Sequence, residues 1–266
     1  MGEKQNKQTL VVIAGATGSI GNAYHQYYSK KQRTKCIGLS RQKPGFYKIN
    51  LLKPLETQKF ARQLELKGIE HLILIHSIGI DKFEINGTPE IDRDKDGIDD
   101  EVYKSNVLTF TTLAKPLTER VTRHNYKKKL KTILTFCGIG SISDTYSVPF
   151  WQSYSKSKNI LREYIRNLVS ENTRGMFVNV SSVNTGKEKQ YRPCANTTHW
   201  ITPQEVVRKS IPYIENKDVL WQEIALFRPN PKYTPSYFKD HKKLLEKWIK
   251  DLGPSYDKNK KPHPRI

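Results

Sequence analysis

The stretch Thr9-Leu-Val-Val-Ile-Ala-Gly15-Ala-Thr-Gly18-Ser-Ile-Gly21 decides the fold. Leu10 to Ala14 is a short apolar run rich in β-branched residues, which suits a strand buried on both faces. Three glycines follow at three-residue spacing, and Asn22 to Lys30 continues as a helix. In such a unit the first glycine permits a sharp turn. The second lets the backbone approach a pyrophosphate, and the third lets helix pack closely on strand. The helix's free N–H groups and positive dipole end then face the anion. A glycine triplet alone also occurs in ordinary connectors. With a strand in front and a helix behind, Gly15, Thr17, Gly18, Ser19, Ile20 and Gly21 read as a nucleotide phosphate site.

Outward from this unit, strand and helix patterns alternate. Lys35 to Leu39 is a second strand, Phe46 to Ile49 a weak third, and Leu55 to Lys67 a helix. His71 to Ile75 reads as a buried strand, Asp99 to His124 as a long helix, and Thr132 to Phe136 as a strand. Gln152 to Glu171 is helical and Met176 to Val180 is a strand. Pro203 opens a further helix, and Val219 to Phe227 contains the last strand. Alternation of this kind predicts an α/β fold, a single doubly wound (Rossmann) domain with a central parallel sheet flanked by helices. The expected domain spans 1–252, followed by a basic tail at 253–266.

The chain has 266 residues, enough for one full core, and no apolar run long enough to span a membrane. The first residues are polar, without the apolar segment of a secretory signal. Cys36, Cys137 and Cys194 are odd in number, widely spaced and lack metal-ligand spacing, which fits a reducing cytoplasm. The net charge of +20 raises nucleic acid as a partner. The lysines are spread along the chain, no nucleic-acid module is recognisable, and attraction for an anionic cofactor is the preferred reading.

The second strand ends in Leu39-Ser40-Arg41. An acidic residue at this tip would hold the ribose hydroxyls of NAD. A hydroxyl and a guanidinium stand here instead, and the guanidinium's planar donor fork matches the 2′-phosphate of NADP; the alternative is a solvated loop arginine. Further on, Tyr154 precedes Lys158 by four residues, so both lie on one helical face. An ammonium beside a phenol favours phenolate and lets it exchange a proton near neutral pH. Tyr27/Lys31, Tyr213/Lys217 and Tyr256/Lys260 share the spacing. Only Tyr154 opens a helix after a central strand, at the carboxyl edge where doubly wound sheets place ligands.

The glycine turn and the Tyr154/Lys158 pair resemble the short-chain dehydrogenase/reductase family, over most of the chain from about Thr9 to the helix at Pro203. The resemblance implies that Asn106, in Tyr103-Lys-Ser-Asn106, supports a relay beside the lysine. Ser141, thirteen residues before Tyr154, matches the family's catalytic serine. Asn106, Ser141, Tyr154 and Lys158 would then form a catalytic tetrad. Cofactor contacts are expected at Gly15, Thr17, Gly18, Ser19, Ile20, Gly21, Ser40, Arg41, Asn50, Leu51, Ser77, Gly79, Tyr154, Lys158 and Thr185.

Departures from the family pattern are clear. The glycine spacing is that of extended and atypical members, yet the C-terminal part is short for their substrate domain. The family's Asn-Asn-Ala-Gly appears as His76-Ser77-Ile78-Gly79, and its Pro-Gly as Val183-Asn184, followed by Thr185. Counting from the end of strand Thr132–Phe136 puts the serine near Cys137 or Gly138, whereas counting back from Tyr154 gives Ser141. The mismatch reads as an insertion in Gly138–Ser143, with Ser141 preferred to Ser143.

Asp92-Arg-Asp94-Lys-Asp96-Gly97 begins like a calcium loop, but position twelve is Tyr103 rather than Glu. The preferred reading is an acidic loop in which Asp99 or Asp100 caps the next helix, with weak, structural calcium binding as the alternative; no catalytic metal site is expected. His76 and His199 lack partners at ligand spacing and are read as packing or surface residues. Gly186 to Trp200 falls where the family has a lid over substrate, and its Lys187, Lys189 and Arg192 either favour an anionic substrate or are solvated. The expected function is NADP(H)-dependent interconversion of a carbonyl and an alcohol in a cytoplasmic homodimer or homotetramer. An epimerase or dehydratase acting on a nucleotide sugar and a non-enzymatic NADP-binding regulator are the alternatives.

Overall fold

A computed structural model describes residues 8–84, 89–128, 131–146, 150–228 and 239–253. The elements run β1 (Gln8–Ala14), α1 (Ser19–Ser29), β2 (Thr34–Ser40), β3 (Tyr47–Lys48), α2 (Pro54–Gln63) and β4 (Ile69–His76). A short α3 (Asp100–Tyr103) passes through one π turn (Lys104–Leu108) into α4 (Thr109–Lys128). Then come β5 (Ile133–Ser141), α5 (Ser143–Tyr146), α6 (Gln152–Asn167) and β6 (Thr173–Val180). The chain continues through α7 (Gly186–Tyr191), α8 (Pro203–Ile214) and β7 (Trp221–Leu226) to α9 (His241–Leu252).

The strands form one sheet in the order β3-β2-β1-β4-β5-β6-β7, every pair parallel. The order reverses between β1 and β4, the place where doubly wound sheets open a crevice for ligands. Side-chain alternation divides the core in two. Leu10, Val12, Leu72, Leu74, Leu134 and Phe136 pack with α2, α4 and α6. Val11, Ile13, Ile73, Ile75, Met176 and Val178 pack with α1 and α8 on the other face. A strand buried on both faces has to be apolar throughout, which is why β1 and β4 were readable as continuous runs.

Several boundaries differ from expectation. Helix α1 begins at Ser19, three residues early, because Gly18 serves as its N-cap. Helices α2 and α6 stop at Gln63 and Asn167, short of the expected ends. The long helix expected over 99–124 is interrupted by the π turn around Asn106 and runs on to Lys128. Pro203 does open α8, with Thr202 and Glu205 forming a capping box.

The largest correction concerns β5, which continues to Ser141 and pairs with β6 as far as Val180. The strand thus ends at Ser141 itself, the residue reached by counting back from Tyr154. Gly138 and Gly140 look like loop residues in sequence but are strand residues under tight packing. A Cβ on Gly138 would stand 2.6 Å from Ile165, and one on Gly140 would stand 2.2 Å from Phe177. Most of the expected basic tail, 254–266, lies outside the described residues, as does part of the Lys127–Lys131 run.

Candidate active site

The glycine turn closes between β1 and α1. Gly15 has φ +83°, and its carbonyl accepts the Gly18 N–H at 3.0 Å. A Cβ on Gly21 would lie 2.1 Å from the Gly15 carbonyl oxygen, so this position admits glycine alone. At Gly18 the same test meets only the Gly15 oxygen, at 3.4 Å, so the turn is open on that side. The first turn of α1 has no acidic residue and no side-chain cap. Uncapped N–H groups beside an open glycine form a cradle that fits a pyrophosphate.

Ser77 ties this turn to the end of β4, its hydroxyl donating to the Ala14 carbonyl at 2.9 Å. At the β2 tip the Ser40 hydroxyl accepts the N–H groups of Gln42 and Lys43, while Arg41 is exposed. No acid stands at this tip, and the guanidinium is available to a 2′-phosphate. Asn50 and Leu51 follow β3, outside the central cavity. Asn50 receives the Leu52 N–H and donates its own N–H to Glu56, and the Leu51 carbonyl accepts the Thr112 hydroxyl.

Over the carboxyl ends of β4 to β7 lies a cavity of about 690 Å³. Of the expected site residues, Ile20, Ser77, Gly79, Ser141, Tyr154, Lys158 and Thr185 line it. Gly15, Thr17, Gly18, Ser19, Gly21, Ser40 and Arg41 lie along the same edge outside that lining. Asn106 is fully buried and does not line it either. Its side chain donates to Ile80 O at 3.0 Å and to Ser157 at 2.9 Å, and accepts Ile80 N–H at 2.8 Å. Asn106 thereby joins the segment after β4 to α6, and the π turn carries it there.

Tyr154 and Lys158 share one face of α6, with the ammonium 5.5 Å from the centre of the phenol ring. The Lys158 ammonium donates to Ile139 O at 2.9 Å and Ile78 O at 3.3 Å, and burial pulls it down to about 8. The Tyr154 phenol is pushed up, first by burial and then by the carboxylates of Asp81 and Glu188; a hydrogen bond with Ser141 acts against them. The sequence reading expected the lysine to lower the phenol. In this structure burial comes first and acts in the opposite direction. Ser143 stands behind Ser141, its N–H donating to the Ser141 hydroxyl at 3.2 Å. The phenol therefore meets Ser141, the residue reached by counting back from Tyr154.

Further residues hold the frame. Glu84 is buried and receives both the N–H and the hydroxyl of Ser153, fixing the first turn of α6 immediately before Tyr154. Arg162, one turn beyond Lys158, pairs with Asp144 at 2.5 Å and with Glu223 at 3.0 Å, binding α6 to the serine turn and to β7. Sequence spacing gave no signal for these links, because each joins segments far apart in the chain.

In the Asp92–Asp100 loop Asp99 is buried and Asp94 and Asp96 are exposed, and several of the acids bind the loop's own backbone. Asp92 accepts the N–H groups of Asp96 and Gly97, Asp96 accepts that of Ile98, and Asp99 caps α3. His76 is buried, its Nε2 2.8 Å from the Thr109 hydroxyl, and burial pulls it down to about 3. His199 lines the cavity.

The lid segment begins with α7, capped by Thr185, and α9 docks over it. Arg192 pairs with Asp251 at 2.5 Å and with Glu188 at 2.9 Å, and the Cys194 N–H reaches Asp251 O at 2.9 Å. Trp248 stacks edge-on against Trp151 with ring centres 5.5 Å apart. Leu244, Lys247, Trp248 and Asp251 thus form a wall of the cavity that the sequence had left unassigned.

No protein-family model matches the sequence, and no curated protein does. Solved structures do. An aldohexose dehydrogenase from Thermoplasma acidophilum superposes with TM-score 0.66 at 14% identity, covering 88% of this chain and 100% of that one. A 4-hydroxyisoleucine dehydrogenase complexed with NADH gives TM-score 0.64 at 20% identity, covering 85% and 100%. A short-chain dehydrogenase from Burkholderia cenocepacia in complex with NADP gives 0.62 at 14%, covering 84% and 89%. At such identities the likeness is one of fold, and the chain has the Rossmann fold of the short-chain dehydrogenases/reductases.

Proposed function

We propose that this protein is an NADP(H)-dependent oxidoreductase that interconverts a carbonyl and an alcohol. The observation that carries the reading is the convergence of Ser141, Tyr154 and Lys158 on one cavity, beside a glycine turn open to a pyrophosphate. When bound, the nicotinamide would supply or accept the hydride. Gly15 to Gly21 and the α1 N-terminus would hold its phosphates, Arg41 the 2′-phosphate, and Lys158 the ribose nearest the phenol. Ser77, Gly79 and Thr185 line the cavity where the nicotinamide end would enter.

In the reducing direction Ser141 donates a hydrogen bond to the substrate's carbonyl oxygen and orients it toward Tyr154. As the carbonyl carbon gains hydride, that oxygen takes the phenol proton, leaving phenolate beside the Lys158 ammonium. The phenolate then recovers a proton through Lys158, whose value of about 8 suits exchange near neutral pH. The similar structures include one dehydrogenase complexed with NADH and another with NADP, so the choice of NADP rests on Arg41 and the missing acid.

Tyr154→Phe tests the reading, because it removes one hydroxyl and keeps the ring. NADPH-dependent reduction of a ketone panel should fall by about 10²–10⁴, with NADPH affinity retained. Unchanged turnover in Tyr154→Phe would remove the tyrosine from the chemistry.

A further inference from the structure

Charge pairing around the cavity points to its substrate. Lys187, Arg192 and Lys247 line it together with Asp81, Glu188 and Asp251. Lys187 lies 2.7 Å from Asp81, and Lys247 lies 2.6 Å from Asp251. Arg192 is 3% exposed and its donor fork is committed on every side. Nε and Nη2 reach Asp251 at 3.1 and 2.5 Å, while Nη1 reaches Ser182 at 2.7 Å and Glu188 at 2.9 Å. Its plane stacks 4.1 Å from the Trp248 ring centre and 5.2 Å from that of Trp200. Arg228, also in the lining, pairs with Glu205 at 2.7 Å.

An anionic substrate could use Arg192 only by displacing a carboxylate already buried there. That carboxylate would be left without its partner, at a large desolvation cost. Asp81 and Glu188 also face the phenol at which the carbonyl must bind, and their field opposes a second negative charge. A cationic substrate meets the same obstacle in reverse, because each of the three acids already has its cation. Lys158 sits at the reacting end with its ammonium on two backbone carbonyls, away from the walls that would surround the rest of a substrate. Those walls carry a largely aromatic apolar part, Trp151, Trp200, Trp248 and Phe227 with Leu244 and Val183, to which Ser181, Ser182, Asn196 and His199 add polar groups.

We infer that the cavity takes an uncharged carbonyl compound with a ring-sized apolar body, and that the Arg192 cluster excludes anions. The inference rests on the reading of the site as a carbonyl reductase and replaces the anionic substrate expected from the lid cations. Of those cations, Arg192 links the end of α7 to α9 through Asp251 and Lys187 ties α7 to Asp81 beyond β4, while Lys189 is exposed.

Ethyl benzoylformate and benzoylformate share ring and ketone but differ by one charge, and they make the test. Binding to the protein saturated with NADP⁺ is read from quenching of tryptophan fluorescence, and turnover with NADPH is read separately. The ester should bind at least about 30-fold more tightly than the acid. Equal binding, or tighter binding of the acid, overturns the inference. Tighter binding of the ester without turnover of any ketone upholds the inference about the cavity and removes the reductase reading instead. Glu188→Gln frees one face of Arg192 while leaving Asp251 in place, so the ratio should narrow by at least about fivefold. A ratio that does not move in this variant shows that pairing is not what excludes the anion, and overturns the inference.

Discussion

Everything the glycine turn needs in order to meet a phosphate comes from the short run Gly15 to Gly21. The cavity beyond Tyr154 takes its walls from segments as distant as Asp81 and Asp251. The first region is made of backbone: a positive φ, a close approach without Cβ, and helix N–H groups left open. The second is made of side chains, chiefly indole rings and a buried cluster of paired charges. A backbone-built site depends on which residues are absent. A side-chain-built one depends on partners that are present elsewhere in the chain. The two regions should therefore fail in different ways when altered.

The largest effect is expected in the charge cluster. Arg192→Met keeps much of the side-chain volume between Trp248 and Trp200 but removes the Arg192 partner of Glu188 and leaves Asp251 with Lys247 alone. Removing one member of a buried ion pair costs about 3–5 kcal/mol. Denaturant unfolding should show a loss of that order, and NADPH affinity, set at the other region, should change little. Comparable loss of cofactor binding would show that the two regions are one cooperative unit.

Gly21→Ala comes next. Its Cβ would overlap the Gly15 carbonyl, so the turn and α1 must move apart, at a cost of about 1–3 kcal/mol and with loss of NADPH binding. Gly186→Ala is the matched control in α7, where an added Cβ meets nothing within 4 Å. Equal effects from the two alanines, measured by thermal unfolding and NADPH titration, would break the contrast. The smallest change is expected from exposed Arg41. Arg41→Ala should leave stability unaltered and weaken NADPH about tenfold while sparing NADH, the scale of one charge-assisted phosphate contact. Equal weakening of both cofactors would mean that Arg41 does not read the 2′-phosphate.

Legibility in the sequence follows the same division. The order of strands and helices was readable because β1 and β4 are buried on both faces and must be apolar throughout. The glycine turn and the Tyr154/Lys158 pair were readable because each is a local pattern. The end of β5 was not, since Gly138 and Gly140 look like turn residues until Ile165 and Phe177 are seen packed against them. Nor was the upward push on the Tyr154 phenol, which comes first from burial and then from Asp81 and Glu188, brought in from other segments. Lys187 and Arg192 looked free in sequence because Asp81 and Asp251, far from them in the chain on either side, give no local sign of meeting them. The wall contributed by α9 was hidden for the same reason: nothing within 241–252 records which face docks on Trp151.

The central claim is that hydride passes between a nicotinamide held at the glycine turn and a carbonyl held at Tyr154. Transfer of deuterium tests it most directly. The protein is incubated with NADPH deuterated at nicotinamide C4 and with uncharged aryl and cyclic ketones, and the alcohols are analysed by mass spectrometry and NMR. The account predicts deuterium on the carbinol carbon with the parent protein, and almost none with Tyr154→Phe at equal NADPH occupancy. Deuterium that never reaches an alcohol although NADPH is bound, or that arrives equally fast without the Tyr154 hydroxyl, would contradict it.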